Sequence, residues 1–233
     1  MTELKITVLT NVNLQVLRYS AMQKFRYANI RVPVMIITVV GFKGGIGKTS
    51  TAVHLACYLH QKEKTLLVDG DPNRSASSWA SRGKLPCDLC DETEAASIAS
   101  KYKHIIIDTK ARPEVEDLQG LIDACDLMIL PTTPDALALD ALMLMVKAIP
   151  PNTNYKILLN IIPPKPSKAG DEAMEFLKEQ MKLPVFSTMI RRYSAYQKAS
   201  LRGVPVYESG DERARIAWGD YQKLGVELLK VMQ

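Results

Sequence analysis

The sequence predicts a single-domain α/β fold with a mostly parallel central sheet and helices on both of its faces. Three observations lead to this prediction: apolar runs that do not alternate with polar residues, helix-length segments between them, and a glycine-rich loop between one such run and a helix. The chain has 233 residues, 47% of them hydrophobic, so it can bury one substantial core. The apolar runs predict strands at residues 35–41, 65–69, 103–108, 126–131, 155–161 and 185–187.

Residues 1–34 are expected to form an extension ahead of a core domain at 35–233. The extension holds five cations against Glu3, a net charge of +4, which leaves +1 of the chain's +5 for the core. The net charge of the whole chain is therefore a poor argument for nucleic acid binding. Such binding can be argued only from local clusters of basic residues. The extension is predicted to be poorly ordered or a short basic helix, and the alternative is an arm that contacts DNA, lipid or a partner.

The first strand of the core leads into a glycine-rich loop, Lys43-Gly44-Gly45-Ile46-Gly47-Lys48-Thr49-Ser50, and then into a helix predicted to end near Gln61. The loop matches the phosphate-binding pattern G-x-x-x-x-G-K-[ST] except that Phe42 stands at its first glycine. Glycines let backbone N–H groups surround phosphate oxygens, and the start of the helix adds its dipole. We expect Lys48 to reach the β- and γ-phosphates and Thr49 to ligate Mg²⁺.

The remaining segments supply further helices and a loop. Residues 137–146 read as a strongly apolar helix whose methionines are expected to fill the core rather than form a binding surface. Three prolines make 163–168 a loop, and the last helix is predicted from about Glu212 to Val231. No apolar run is long enough for a transmembrane helix, and no secretory signal is evident.

Four cysteines, at 57, 87, 90 and 125, are expected to be reduced thiols of a cytosolic protein. The spacing of Cys87 and Cys90 raises the question of a metal or iron–sulfur cluster. One such pair supplies only half of a four-ligand site, although two copies of the chain could share a cluster.

Several ordered motifs together resemble the ParA/MinD family of deviant Walker A ATPases. The loop carries the family's second lysine, Lys43. The resemblance continues from Met35 to the C-terminus through residues 66–73, 104–109 and 126–134. The chain departs from the family pattern at Asn73, where Gln is usual, and at Lys110-Ala111, where two prolines are usual.

The resemblance implies ATP and Mg²⁺ as cofactors and assigns the site residues. Lys43 and Asp71 would be catalytic: Lys43 reaches the nucleotide of a partner subunit, and Asp71 orients the attacking water. Mg²⁺ would be held by Thr49, Asp71 and Asp108. Asn160 would hydrogen-bond the adenine of ATP. The phosphates would be bound by the loop residues Lys43, Gly44, Gly45, Ile46, Gly47, Lys48, Thr49 and Ser50. Two assignments stay open, since Asn160 could equally be a strand-end turn residue and Asp69 could support the metal or cap the strand end.

A basic segment near the C-terminus, residues 189–206, resembles the region through which ParA dimers contact DNA. It contains no acidic residue and four basic ones: Arg191, Arg192, Lys198 and Arg202. No base-reading motif is present, so the implied binding is independent of DNA sequence.

The resemblance thus implies a ParA-type ATPase that forms an ATP-dependent homodimer on nonspecific DNA, is cytoplasmic and nucleoid-associated, and contacts no membrane. A ParB-like or McdB-like adaptor would stimulate hydrolysis, and the cargo would be plasmid DNA or a protein compartment such as the carboxysome. The alternatives are a MinD-like membrane-cycling ATPase, a cluster-assembly or metabolic enzyme on the same scaffold, and an inactive nucleotide-bound interaction module.

Overall fold

A computed structural model describes residues 34–111, 113 and 115–232 of the chain. Its core is a parallel sheet of six strands with the order β3-β2-β4-β1-β5-β6. The strands are β1 Met35–Gly41, β2 Thr65–Gly70, β3 Asp88–Asp91, β4 His104–Ala111, β5 Leu127–Thr132 and β6 Tyr155–Leu159. The predicted α/β class with a parallel sheet is confirmed, and the predicted extension lies outside the described residues except for Val34.

Helices cover both faces of this sheet. They are α1 Lys48–His60, α2 Ser75–Ala80, α3 Glu92–Ile98, α4 Val115–Ala124, α5 Ala136–Ala148, α6 Ala169–Glu175, α7 Ser194–Arg202 and α8 Ala214–Val231, with 3-10 turns at Ala99–Lys101 and Val206–Glu208 and a π-helical turn at Phe176–Gln180. Helices α1, α2, α7 and α8 share one apolar cluster with the sheet, and α3 to α6 share the other. Alternate residues of β1 point into the two clusters, since Ile37 and Val39 join the first and Ile36 and Val40 the second.

The prediction of a strand at 185–187 is wrong. Val185 forms only an isolated parallel bridge to Ile157, so the sheet ends at β6. The edge strand Asp88–Asp91 was missed instead, because its four residues begin and end with aspartate and show no apolar run. Its pairing with β2 supplies the stability that local propensity lacks.

Cys87 and Cys90 point into different parts of the molecule. Cys87 lies with Cys57 in the cluster beneath α1, whereas Cys90 lies in the cluster on the other face of the sheet. All four cysteines are buried thiols, and none forms a disulfide with another described residue. Because residues three apart in an extended chain face opposite ways, the spacing does not bring these two thiols to one metal position.

Helix α5 is buried along one side only. Ala138, Leu142 and Met145 are buried, as the prediction of a core helix requires. Met143 packs against the same apolar cluster, so the methionines of this helix fill the core as predicted. On the outer side, however, Leu137 is 73% exposed and Leu144 is 63% exposed. Among the described residues, no helix is long and apolar enough to cross a membrane.

Candidate nucleotide site

The glycine-rich loop lies at the carboxyl end of β1 and turns directly into α1. Gly45 and Gly47 have φ values of 77° and 84°, a conformation that glycine adopts without strain. A Cβ atom on Gly47 would also lie 2.4 Å from the side-chain nitrogen of Asn160. The loop therefore requires glycine here for two independent reasons, and its shape leaves backbone N–H groups free to meet phosphate oxygens.

Lys48 begins α1 and is buried at the floor of the site. Its Nζ atom lies 3.4 Å from the carbonyl oxygen of Lys43. Burial lowers the pKa of the Lys48 ammonium, and the carboxylates of Asp108 and Asp71 oppose that shift. A cation held between two carboxylates and the loop is well placed to neutralise the charge of a triphosphate.

Asp108 supplies the observation that fits a metal ion. The residue is fully buried within β4, beside Val39 of β1, and neither carboxylate oxygen accepts a hydrogen bond of regular geometry from the described residues. Burial raises the pKa of Asp108 to about 7, and the Thr49 hydroxyl and the Lys48 ammonium act against this rise. These two neighbours do not offset the cost of burying the carboxylate, and Mg²⁺ bound together with nucleotide oxygens would lower that cost. The predicted pair Thr49 and Asp108 therefore suits Mg²⁺.

Asp71 lies at the same edge of the sheet, immediately after β2. Its Oδ1 atom accepts hydrogen bonds from the backbone and side-chain nitrogens of Asn73, at 2.9 and 3.0 Å, and Ser75 donates to Oδ2 at 3.5 Å. Asn73, which stands where the family usually has glutamine, thus folds back and hydrogen-bonds to the Asp71 carboxylate. In this arrangement both carboxylate oxygens of Asp71 accept hydrogen bonds from residues of the segment that follows it.

The open question about Asp69 is answered by α2. Oδ2 of Asp69 accepts hydrogen bonds from the backbone nitrogen and the hydroxyl of Ser77, at 2.8 and 2.6 Å, and Oδ1 accepts one from the Asp71 nitrogen at 3.2 Å. Arg74, in the left-handed conformation, binds the Asp69 carbonyl and the Glu92 carboxylate, both at 2.6 Å. Asp69 therefore ties the start of α2 to the end of β2.

Lys43 points away from Lys48, toward α5. Its Nζ atom lies 2.9 Å from Oδ1 of Asp135, and the two side chains are 33% and 52% exposed. Asp135 also caps α5 by accepting a hydrogen bond from the Ala138 nitrogen at 3.1 Å, and the Thr133 hydroxyl donates to its other oxygen. Hydrogen bonds from Thr133 and Lys43 lower the pKa of Asp135. Sequence reasoning missed this partner, although an acid directly after Pro134 at a helix start was a usable signal.

Asn160 is buried behind the loop. Its side-chain nitrogen lies 3.0 Å from the Ile46 carbonyl and 3.3 Å from the Thr51 hydroxyl, and its oxygen accepts a hydrogen bond from the Ile161 nitrogen at 2.9 Å. The arrangement is that of a strand-end residue that braces the loop. The adenine contact stays a prediction, and the structure gives it no support because the amide nitrogen is engaged elsewhere.

A cavity of about 1050 Å³ connects these groups. It extends from the glycine-rich loop past Asp71 and Asn160 to Arg192 and Tyr193. Most of the predicted loop residues line it, whereas the Ile46 side chain is buried beneath the loop, where a Cβ on Gly41 would meet it at 2.6 Å. The volume is that of a site for a sizeable small molecule.

Comparison with known proteins identifies the family. The model of the CobQ/CobB/MinD/ParA nucleotide binding domain matches residues 37–206. The chain belongs to this family. It is 36% identical over 202 residues to the Maintenance of carboxysome distribution protein A of Gloeobacter kilaueensis. The alignment covers 83% of this chain and 93% of that relative. The predicted resemblance to ParA-type proteins is thereby confirmed.

Solved structures of the family share the fold. An ATP complex of a McdA variant from Cyanothece has a TM-score of 0.65 at 15% identity and covers 84% of this chain and 97% of that one. A MinD from Pyrococcus horikoshii in complex with Mg-ADP has a TM-score of 0.61 at 21% identity and covers 85% and 97%. At these identities the similarity shows the fold alone.

Within this CobQ/CobB/MinD/ParA domain, two of the four predicted DNA-binding residues are engaged by carboxylates. The Arg191 guanidinium binds the buried Asp220 carboxylate through two nitrogens, with the shortest distance 2.6 Å. Lys198 lies 2.7 Å from Asp211. The sequence window of 189–206 contains no acid, but α8 and the turn before it bring acids from outside the window.

Arg202 donates to the Ser209 carbonyl at 3.0 Å, and Arg192 is exposed without an ion pair to any described residue. These two cations therefore remain the stronger candidates of the four for binding phosphate. Lys110, at a position where the family usually has proline, forms an ion pair with Asp117 of α4. That pair ties the end of β4 to the next helix.

Proposed function

We propose that the protein is a ParA-type ATPase that hydrolyses ATP with Mg²⁺ and uses the cycle to position a cargo. The observation that carries this proposal is the opposite orientation of the two loop lysines. Lys48 is buried near Asp108 and Asp71, whereas Lys43 lies at the surface against Asp135. An inward cation serves the nucleotide of its own subunit, and an outward one is free to serve a second subunit.

The proposed chemistry follows from the groups around the phosphates. Mg²⁺, held by Thr49 and Asp108, would supply charge for the transferred phosphoryl group. Lys48 holds the phosphates, and Asp71, once released from Asn73, orients the attacking water. Lys43 from the partner stabilises the negative charge of the transition state, as an arginine finger does. In other NTPases that role raises the rate by roughly 10³–10⁵. Hydrolysis would therefore require the homodimer.

The proposed DNA surface lies beside the nucleotide cavity. A second cavity, of about 550 Å³, is lined by Asp171, by the Arg191–Asp220 pair and by four further cations, Lys165, Arg192, Arg213 and Lys223. Each of these four cations is exposed, and none forms an ion pair with a described residue. Four phosphate contacts per subunit give a salt slope of about −0.9 × 4, or ~−3.6, and a dimer up to ~−7. Between 50 and 200 mM salt the dimer would lose affinity by a factor of ~10⁴.

This salt dependence makes dimerisation an effective switch for DNA binding in the cytoplasm, where the ATP-bound dimer would be nucleoid-associated. We propose that a ParB-like or McdB-like adaptor on the cargo stimulates hydrolysis and releases the dimer. The cargo would be plasmid DNA or a protein compartment, and the carboxysome relative supports the second.

DNA binding measured with ATP, with ADP and without nucleotide across a salt series tests the proposal. We expect tight, sequence-independent binding only with ATP, and its loss when Arg213 and Lys223 are both changed to Glu. Lys178→Glu, an exposed lysine on the π-helical turn, is the charge-matched control and should bind normally. Binding to anionic liposomes instead of DNA would contradict the proposal and favour the membrane-cycling alternative.

A further inference from the structure

An apolar stripe runs along the outer side of α5. It consists of Leu137, Ala141, Leu144 and Ala148, at spacings of four, three and four residues, which place them on one side of a helix. Leu137 is 73% exposed and Leu144 is 63% exposed. Leu137 and Leu144 are two helical turns apart on the same side of α5, so they form a patch rather than scattered surface residues, and such patches mark interaction surfaces.

The α5 stripe begins beside the lysine that is proposed to act on a second subunit. Asp135 caps α5 and holds Lys43 at 2.9 Å, and Leu137 follows only two residues later. A second copy that receives Lys43 must therefore approach the edge of the molecule from which α5 starts. The stripe is thus continuous with the proposed dimer face.

The rim of the stripe also suits a protein interface. Asp140 and Lys147, seven residues apart, are both exposed along one side of the stripe and give it a polar border of both signs there. When Lys43 leaves to meet a partner's nucleotide, the exposed carboxylate of Asp135 loses its cation. Each copy then presents the same lysine, the same carboxylate and the same apolar stripe, and a two-fold interface is built from the same surface patch on both copies.

We propose that the α5 stripe is covered by a second copy of this chain in the ATP-bound dimer. This inference rests on the proposed function and adds to it a surface outside the nucleotide cavity. Burial of the stripe would make dimer affinity depend on Leu137 and Leu144 as well as on the nucleotide. It also explains why the outer side of α5 stays apolar although the monomer leaves it in water.

Sedimentation velocity with saturating Mg-ATP in an Asp71→Ala background, where hydrolysis is disabled, tests the inference. Leu137→Ser combined with Leu144→Ser should weaken the dimer about 100-fold, tenfold from each copy, because a two-fold interface carries the change twice. Ile216→Ser is the control, since Ile216 is a 51% exposed side chain on α8, on the other face of the sheet. It should leave dimer affinity within about twofold.

Unchanged ATP binding and thermal midpoint in the Ser variants would show that the loss concerns assembly and not folding. A dimer of normal affinity in the Leu137→Ser, Leu144→Ser variant overturns the inference while leaving the proposed function intact. If that variant dimerises normally but no longer responds to an adaptor, the stripe belongs to the adaptor and the inference is equally overturned. A background that stays monomeric with Mg-ATP overturns both the inference and the proposed function.

Discussion

Replacing Asp108 by Asn should change how the stability of the nucleotide-free protein depends on pH. Burial raises the pKa of this carboxyl from 3.8 to about 7 in the folded state. Between these two values the folded protein binds a proton that the unfolded chain has released, so stability falls as pH rises. Asn cannot ionise, so the free energy of unfolding of the variant does not fall for this reason as the pH rises.

The magnitude follows from the linkage relation. From pH 5 to about 8 the wild type should lose about 1.36 × 2, or ~3 kcal/mol, relative to Asp108→Asn, with most of the loss below pH 7 and little more above pH 8. The amide itself adds a constant cost or gain at every pH, so the pH dependence of the difference is the quantity to compare. Other buried groups, such as His54, are present in both proteins and cancel.

Urea unfolding at pH 5, 6, 7 and 8 with EDTA and without nucleotide measures the difference. Asp140→Asn, which removes an exposed carboxylate on α5, is the control and should stay within ~0.5 kcal/mol of wild type at every pH. Parallel stability curves for wild type and Asp108→Asn would refute the reasoning, since they would mean that Asp108 is ionised at no unusual cost. Adding Mg-ATP should then stabilise the wild type more than the variant, because Asp108 would hold the metal.

Three further changes have expected outcomes. Arg191→Ala should lower stability by about 2–3 kcal/mol and the thermal midpoint by roughly 4–12 °C, because it leaves Asp220 buried without its cation. Arg192→Ala should stay within ~0.5 kcal/mol in the same thermal scan, and equal losses for both arginines would contradict the bidentate pair. Asp135→Asn should lower the free energy of unfolding in urea by less than ~1 kcal/mol, because the pair with Lys43 is exposed and Asn still caps the helix. A loss above about 2 kcal/mol would contradict this expectation.

Much of the fold and the phosphate loop could be predicted because their signals are local. The apolar run of β1, the glycines at 45 and 47 and the lysine at 48 lie next to one another in the chain, and each has a direct physical role. Strand β3 could not be predicted, because its four residues carry two acids and form a strand only through pairing with β2.

The partners of charged groups were the other part that sequence reasoning missed. Asp220 and Asp135 lie 29 and 92 residues from the cations that they bind, Arg191 and Lys43. A count of charges in one window therefore overstated the free positive charge at 189–206. Likewise, the apolar composition of α5 was consistent with a fully buried helix, and only the packing of the sheet revealed which side remains outside.

Light scattering under saturating Mg-ATP measures whether Lys43 is needed to join two subunits. With hydrolysis disabled by Asp71→Ala, the protein should have about twice the monomer mass of 25.9 kDa, and Asp71→Ala combined with Lys43→Ala should remain monomeric while still binding ATP. If removal of Lys43 leaves the dimer unchanged, or if no dimer forms with Lys43 present, the outward lysine does not serve a second subunit.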